Sequence, residues 1–175
     1  MQALGIILIS VVAAVVYGIG HDQVTARICV EYFTIGHPKL IDSESPTVLG
    51  LFWGIVATWW VGLPLGVGLA AASRIGKRPK LDARDVVSSI LKLICCMYIV
   101  AAIAGVVGYG IAKAGQIQLL EPLASEIPAE KHVAFIVDSI IHLASYGSGM
   151  IGGVVLWILV WRRRHKLVET GARVP

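Results

Sequence analysis

Asp138 and His142 stand one helical turn apart inside VAFIVDSIIHLASYGSGMIGGVVLWILVW (133–161), a stretch otherwise long and apolar enough to cross a bilayer. Ionisable groups at such depth cost free energy, so an intramembrane Asp/His pair is by default a candidate functional site. Imidazole and carboxylate are ordinary ligands of zinc and of non-haem iron or manganese. The structural alternative is a pair satisfied by hydrogen bonds to each other or to hydroxyls of a neighbouring helix.

Four segments are apolar enough to carry such residues through a membrane: 3–19, 48–72, 86–112 and 133–161. Of the 175 residues 57% are hydrophobic and 15% charged, with a mean hydropathy of +0.79. A soluble domain carries roughly 25% charged residues, and a bilayer core of about 30 Å takes roughly 20 helical residues. The expectation is an all-α, integral membrane four-helix bundle forming one domain over 1–175. Met1-Gln2-Ala3 lacks the positive charge that opens a secretory signal peptide, so 3–19 reads as a retained helix.

Charge orients the bundle. Arg74, Lys77, Arg78, Lys80 and Arg84 cluster in or beside the 73–85 loop, and Arg162, Arg163, Arg164, Lys166 and Arg173 follow the fourth span. The positive-inside rule puts that loop and the 162–175 tail in the cytoplasm, and an even number of spans puts the amino terminus there too. The net charge of +4 is thereby explained without nucleic acid. Expected partners are the lipid bilayer and either further copies of the chain or a membrane complex.

With this orientation His21, His37, His132 and His142 fall in the external half, together with Asp22, Glu31 and Asp138. His21, Asp22, Glu31, His132, Asp138 and His142 form the candidate metal set. Counted from His132 at 1.5 Å per residue, Asp138 lies about 9 Å and His142 about 15 Å along the fourth helix. The external segment 20–47 is too apolar for a free loop. Residues 24–32 alternate as a strand would, and a continuation of the first helix fits nearly as well. Either way the segment is expected to cap the bundle mouth and end in a turn at His37-Pro38. Arg27 and Glu31 are expected to form an ion pair, and His21 and Asp22 to be solvated interfacial groups more readily than ligands.

Small residues indicate how the helices pack. Gly50, Gly54, Thr58, Gly62 and Gly66 recur every fourth residue, a groove that lets another helix approach closely. Ser145, Gly149 and Gly153 continue the face of Asp138 and His142. Pro64 predicts a kink, because it removes the hydrogen bond to the Trp60 carbonyl. Trp53, Trp157 and Trp161 fit interfacial belts, and Trp59 and Trp60 face lipid or core. Cys29, Cys95 and Cys96 read as packing residues.

HDQVTARICVEYFTIGHP, with WGIVATWWVG in the second span and HLASY in the fourth, resembles a group of uncharacterised multi-pass membrane proteins of bacteria. The resemblance covers the external segment and parts of two helices. It implies a four-span protein of the bacterial cytoplasmic (inner) membrane and carries no activity, cofactor or ligand. There is no HExxH, paired CxxC, GxSxG or phosphate-cradling loop. Three functions therefore stand. The first is an accessory, assembly or binding component with a polar His/Asp/Glu site at the extracytoplasmic mouth. The second is a metal-dependent membrane enzyme using a divalent metal there. The third is a small oligomeric transporter or proton-coupled channel. Haem between His21 and His132 is a weaker alternative cofactor.

Overall fold

The computed structural model describes residues 1–170; Arg173 of the basic tail lies outside them. Their regular structure is entirely helical, without a strand. The elements are α1 (Gln2–Ile28), α2 (Val30–Thr34), α3 (Pro46–Val56), α4 (Trp59–Arg74), α5 (Ala83–Lys113), α6 (Leu123–Glu126), a 3-10 turn (Ala129–Lys131) and α7 (His132–Thr170). Four stretches are long and apolar enough to cross a membrane: Gln2–Ile28, Pro46–Arg74, Ala83–Lys113 and Ala129–Glu169.

Local chemistry sets most helix ends. Pro46 opens α3 at a position where its missing N–H is no loss. The Asp85 carboxylate accepts the Asp82 N–H at 2.7 Å at the start of α5. Gly115 takes a left-handed φ of 72°, and the Gln116 N–H reaches back to the Ile111 carbonyl, which closes that helix. The strand pattern over 24–32 is not realised. α1 instead runs on to Ile28 and breaks at Cys29, whose backbone is extended. The extra turns bury His21, Asp22, Thr25 and Ala26, and this burial outweighs the weak alternation that suggested a strand.

The second span is also not one kinked helix. It is interrupted at Ala57–Thr58, six residues before Pro64, which lies inside α4. The Thr58 hydroxyl donates to the Gly54 carbonyl, and the Thr58 N–H turns to Ile55, so the break supplies its own hydrogen bonds.

Two pairs of elements build the bundle: α1 against α3–α4, and α5 against α7, with α4–α7 and α1–α5 contacts joining them. The first pair meets backbone to backbone along the glycine groove. A Cβ on Gly54 would stand 2.5 Å from the Ile19 backbone, and one on Gly50 would stand 2.9 Å from the Asp22 carbonyl. Gly62 and Gly66 meet Val11 and Ile7 in the same way, and Thr58 packs on Gly18. By contrast Gly149 and Gly153 face the side-chain tips of Met97 and Leu65. Those contacts are made by side chains rather than by backbone.

At the far end, Arg164 is fully buried and donates to the carbonyls of Ala72, Ile75, Arg78 and Pro79 at 2.7 to 3.2 Å. It satisfies the open C-terminus of α4 and holds the 75–79 turn against α7. Arg78 lies over the Trp161 ring at 4.6 Å, so both arginines do structural work at that end.

The groove makes a direct prediction. Gly54→Ala must push α1 and α3 apart and lower stability by about 1–3 kcal/mol. Gly147→Ala, where an added Cβ meets nothing within 4 Å, leaves stability unchanged or slightly raised. Thermal unfolding followed by circular dichroism in detergent compares them, and equal midpoints would contradict this helix contact.

Candidate functional site

α1 and α7 bring three of the six candidate ligands together at the α2 end of the bundle. His21, Asp22 and His142 are each buried, and one ligand atom from each lies within 4.8 Å of the others. His21 Nδ1 is 2.9 Å from Asp22 Oδ1, and His142 Nε2 is 3.4 Å from the same oxygen. His21 and Asp22 are thus not solvated interfacial groups: the extension of α1 carries them inside.

The two rings are oriented differently. His142 Nδ1 lies 2.9 Å from the Asp138 carbonyl, one turn back, and 3.8 Å from Asp138 Oδ1. A ring whose Nδ1–H is given to a carbonyl presents Nε2 as a lone pair, the form that binds metal. That Nε2 faces Asp22. Tyr32 of α2 stacks on His142 with centroids 4.3 Å apart, and the His21 ring meets it edge-on at 4.7 Å. Ligands about 2.1 Å from a tetrahedral ion stand roughly 3.4 Å apart; the His142–Asp22 edge matches at 3.4 Å, the His21–Asp22 edge is hydrogen-bonded at 2.9 Å, and all three ligand atoms lie within 4.8 Å of one another.

Polar groups without partners surround this cluster. His21 Nε2, Thr25 Oγ1 and both carboxylate oxygens of Asp138 are buried with no hydrogen bond. Asp138 is 0% exposed. Unpaired polar groups are uncommon in native interiors and call for an explanation such as an ion, a water or a catalytic role. Asp138 is adjacent to the cluster through His142 but is not one of the three grouped residues.

The other two candidates lie elsewhere. His132 Nε2 bonds the Ile127 carbonyl at 2.9 Å at the start of α7, so it does not join His21 around a haem. Glu31 pairs with Lys131 at 3.5 Å and accepts from the Cys29 thiol at 3.4 Å. Burial pushes the Glu31 carboxyl up, but backbone, thiol and lysine together hold it below the usual range. Burial also pushes the Cys29 thiol up to about 11. The expected Arg27–Glu31 ion pair does not form, since Arg27 turns to Gln23 and to the Thr47 hydroxyl. The break at Cys29 moves Glu31 off the Arg27 face.

Sequence reasoning missed the aromatic cover. Tyr32 stacks on His142 and Phe33 meets it edge-on, while His37 stacks on Phe33 and packs on Trp53, which is buried rather than interfacial. It also missed Tyr17, whose hydroxyl meets Ser145 at 2.6 Å just inside the cluster. Tyr17 lies four residues before His21 and Ser145 three after His142, so helical spacing was the available signal.

Fold and site together define an all-helical protein with four helices long and apolar enough to span a membrane and a buried His/Asp cluster at one end. No family model, no curated protein and no solved structure matches the chain.

The cover carries a pH prediction. Burial pushes His37 below its ordinary value of 6.5, against the raising effect of its bond to the Tyr32 carbonyl. The unfolded cap therefore binds more protons at mildly acidic pH, and the stability of the cap is full above the unfolded value and lost as pH falls below it. Amide protection in Val30–Thr34, corrected for intrinsic exchange, should fall between about pH 7.5 and about pH 5.5. His37→Phe keeps an aromatic ring and should flatten that dependence; an undiminished dependence would assign it to another group.

Proposed function

We propose that the chain is a four-span protein of the bacterial cytoplasmic membrane, a binding component whose polar site at the extracytoplasmic mouth holds one divalent transition metal. Support for insertion comes from the outward faces. Leu4, Leu8, Val12 and Val16 form an exposed line along α1, and Ile99, Ile103, Val106 and Val107 one along α5. Apolar exposure on that scale suits a hydrocarbon solvent. Segregation of the basic residues to the Arg164 end favours that end as cytoplasmic.

The observation that carries the metal reading is the convergence of His21, Asp22 and His142. Two imidazoles and one carboxylate are a ligand set for zinc or for non-haem iron or manganese, and three protein ligands leave a coordination position open. Asp138 gives a second reading some support. A metal at this site would supply activation of water, and the Asp138 carboxyl, which lacks a hydrogen-bond partner and lies 3.8 Å from the His142 ring, is an acid–base group close by. Proton conduction through the bundle draws less support. Beyond Tyr17 and Ser145 the hydroxyls of Ser10 and Thr58 are turned to carbonyls of their own helices.

The test is metal content. Protein purified without a histidine tag and loaded in turn with zinc, iron and manganese should retain about one ion per chain. His142→Ala and Asp22→Asn should weaken retention by at least ~100-fold, whereas His132→Ala should not change it. Absence of a stoichiometric ion under all three conditions, or equal retention by His142→Ala, would sink the reading.

A further inference from the structure

The His/Asp cluster is the polar end of a long cleft between the α1/α3–α4 pair and the α5/α7 pair. The cleft offers about 100 Å³ of space and is partly open to the exterior. It runs along α1 from Asp22 to Ser10 and along α7 from His142 to Trp157, a length of roughly 18–22 Å at 1.5 Å per residue. That exceeds half of a bilayer core about 30 Å thick.

Small residues contribute to the lining of the cleft, among them Ala13 and Ala14 on α1 and Gly149 and Gly153 on α7. Gly18 and Gly62 also border it but point into the seam between α1 and α3–α4. Folded interiors pack as densely as organic crystals, so an elongated slot between the helix pairs favours an occupant that fills it. Water is a poor candidate for its deep part, which Leu69, Ile90, Leu93 and Leu156 line; apolar cavities stay dry. The mouth end is the reverse. There His21, with its unpartnered Nε2, stands beside Asp22 and His142, with the Tyr17–Ser145 hydroxyl pair one turn deeper.

A narrow apolar slot with one polar end matches a molecule of the same design. We infer that the cleft binds a single-chain anionic amphiphile. Its hydrocarbon chain lies between the two helix pairs, and its oxyanion head sits at the His21/Asp22/His142 end. The oxyanion character of the head rests on the metal reading, because it is the open position on a bound cation that would attract it past the Asp22 carboxylate. Placement of the chain rests on the shape and lining of the cleft alone.

A long-chain fatty acid carrying a photoreactive diazirine at its methyl end tests this on metal-loaded protein in detergent. The expected result is saturable labelling of deep residues such as Leu69, Ile90 and Leu156, competed by unlabelled fatty acid. Gly149→Leu and Ala13→Phe, which fill the cleft from α7 and α1, should each lower that labelling by at least ~10-fold, as overpacked apolar sites exclude a ligand. Labelling confined to outward residues such as Leu4, Ile99 and Ile151 overturns the inference, and this position in wild-type protein decides it even if a filling variant fails to fold. Equal deep labelling by a long-chain alkyl trimethylammonium probe overturns the anionic head. Full metal content with no deep labelling defeats this inference and leaves the metal site standing. Deep labelling in protein that holds no metal defeats the metal site and the anionic head together.

Discussion

The seating of α1 in the glycine groove of α3–α4 is the constraint on which the other features depend. A helix whose backbone lies within van der Waals reach of another backbone has little freedom to rotate. With Gly50 against Asp22 and Gly54 against Ile19, the rotation of α1 is set, and His21 and Asp22 are turned toward α7. The same contact keeps α1 helical past residue 19. The closely fitted pair then leaves its other side for α5 and α7, which approach through side-chain tips. One interface is made backbone to backbone and the other by side chains, and the cleft lies along the second.

Two buried charged residues, treated differently, separate scaffold from site. Arg164 has no exposed surface, yet its guanidinium donates to four carbonyls. A buried charge paired in this way is a structural element, and it closes the end of the bundle opposite the cluster. Asp138 is just as inaccessible and has no hydrogen-bond donor at all. Burying a carboxylate without a partner is costly. The contrast lies within one helix, α7, which is regular at both places, apolar around Asp138 and basic around Arg164.

Much of this architecture was legible in the sequence. The four apolar stretches, the every-fourth-residue glycines and the costly Asp138/His142 pair all follow from periodicity and composition. The errors share a cause. Residues 24–32 looked like a strand because alternation over so few residues cannot be told from the edge of a helix once tertiary burial intervenes. Trp53 looked interfacial because its place near a helix end says nothing about a cap folding over it. A kink was expected at Pro64 and the interruption at Ala57–Thr58 was not foreseen, since a local rule names the proline and is blind to the close approach of Gly18.

By itself the sequence determined which segments are apolar enough to span a membrane, which faces are small enough to pack closely, and which residues are expensive to bury. Those are properties of single helices, written in spacings of three and four. Only the tertiary structure decided that His21 and Asp22 belong with His142, more than a hundred residues away, while Glu31 and His132 do not. That choice depends on the relative rotation and axial offset of α1 and α7. These are set by contacts between helices, which no pattern within one helix records.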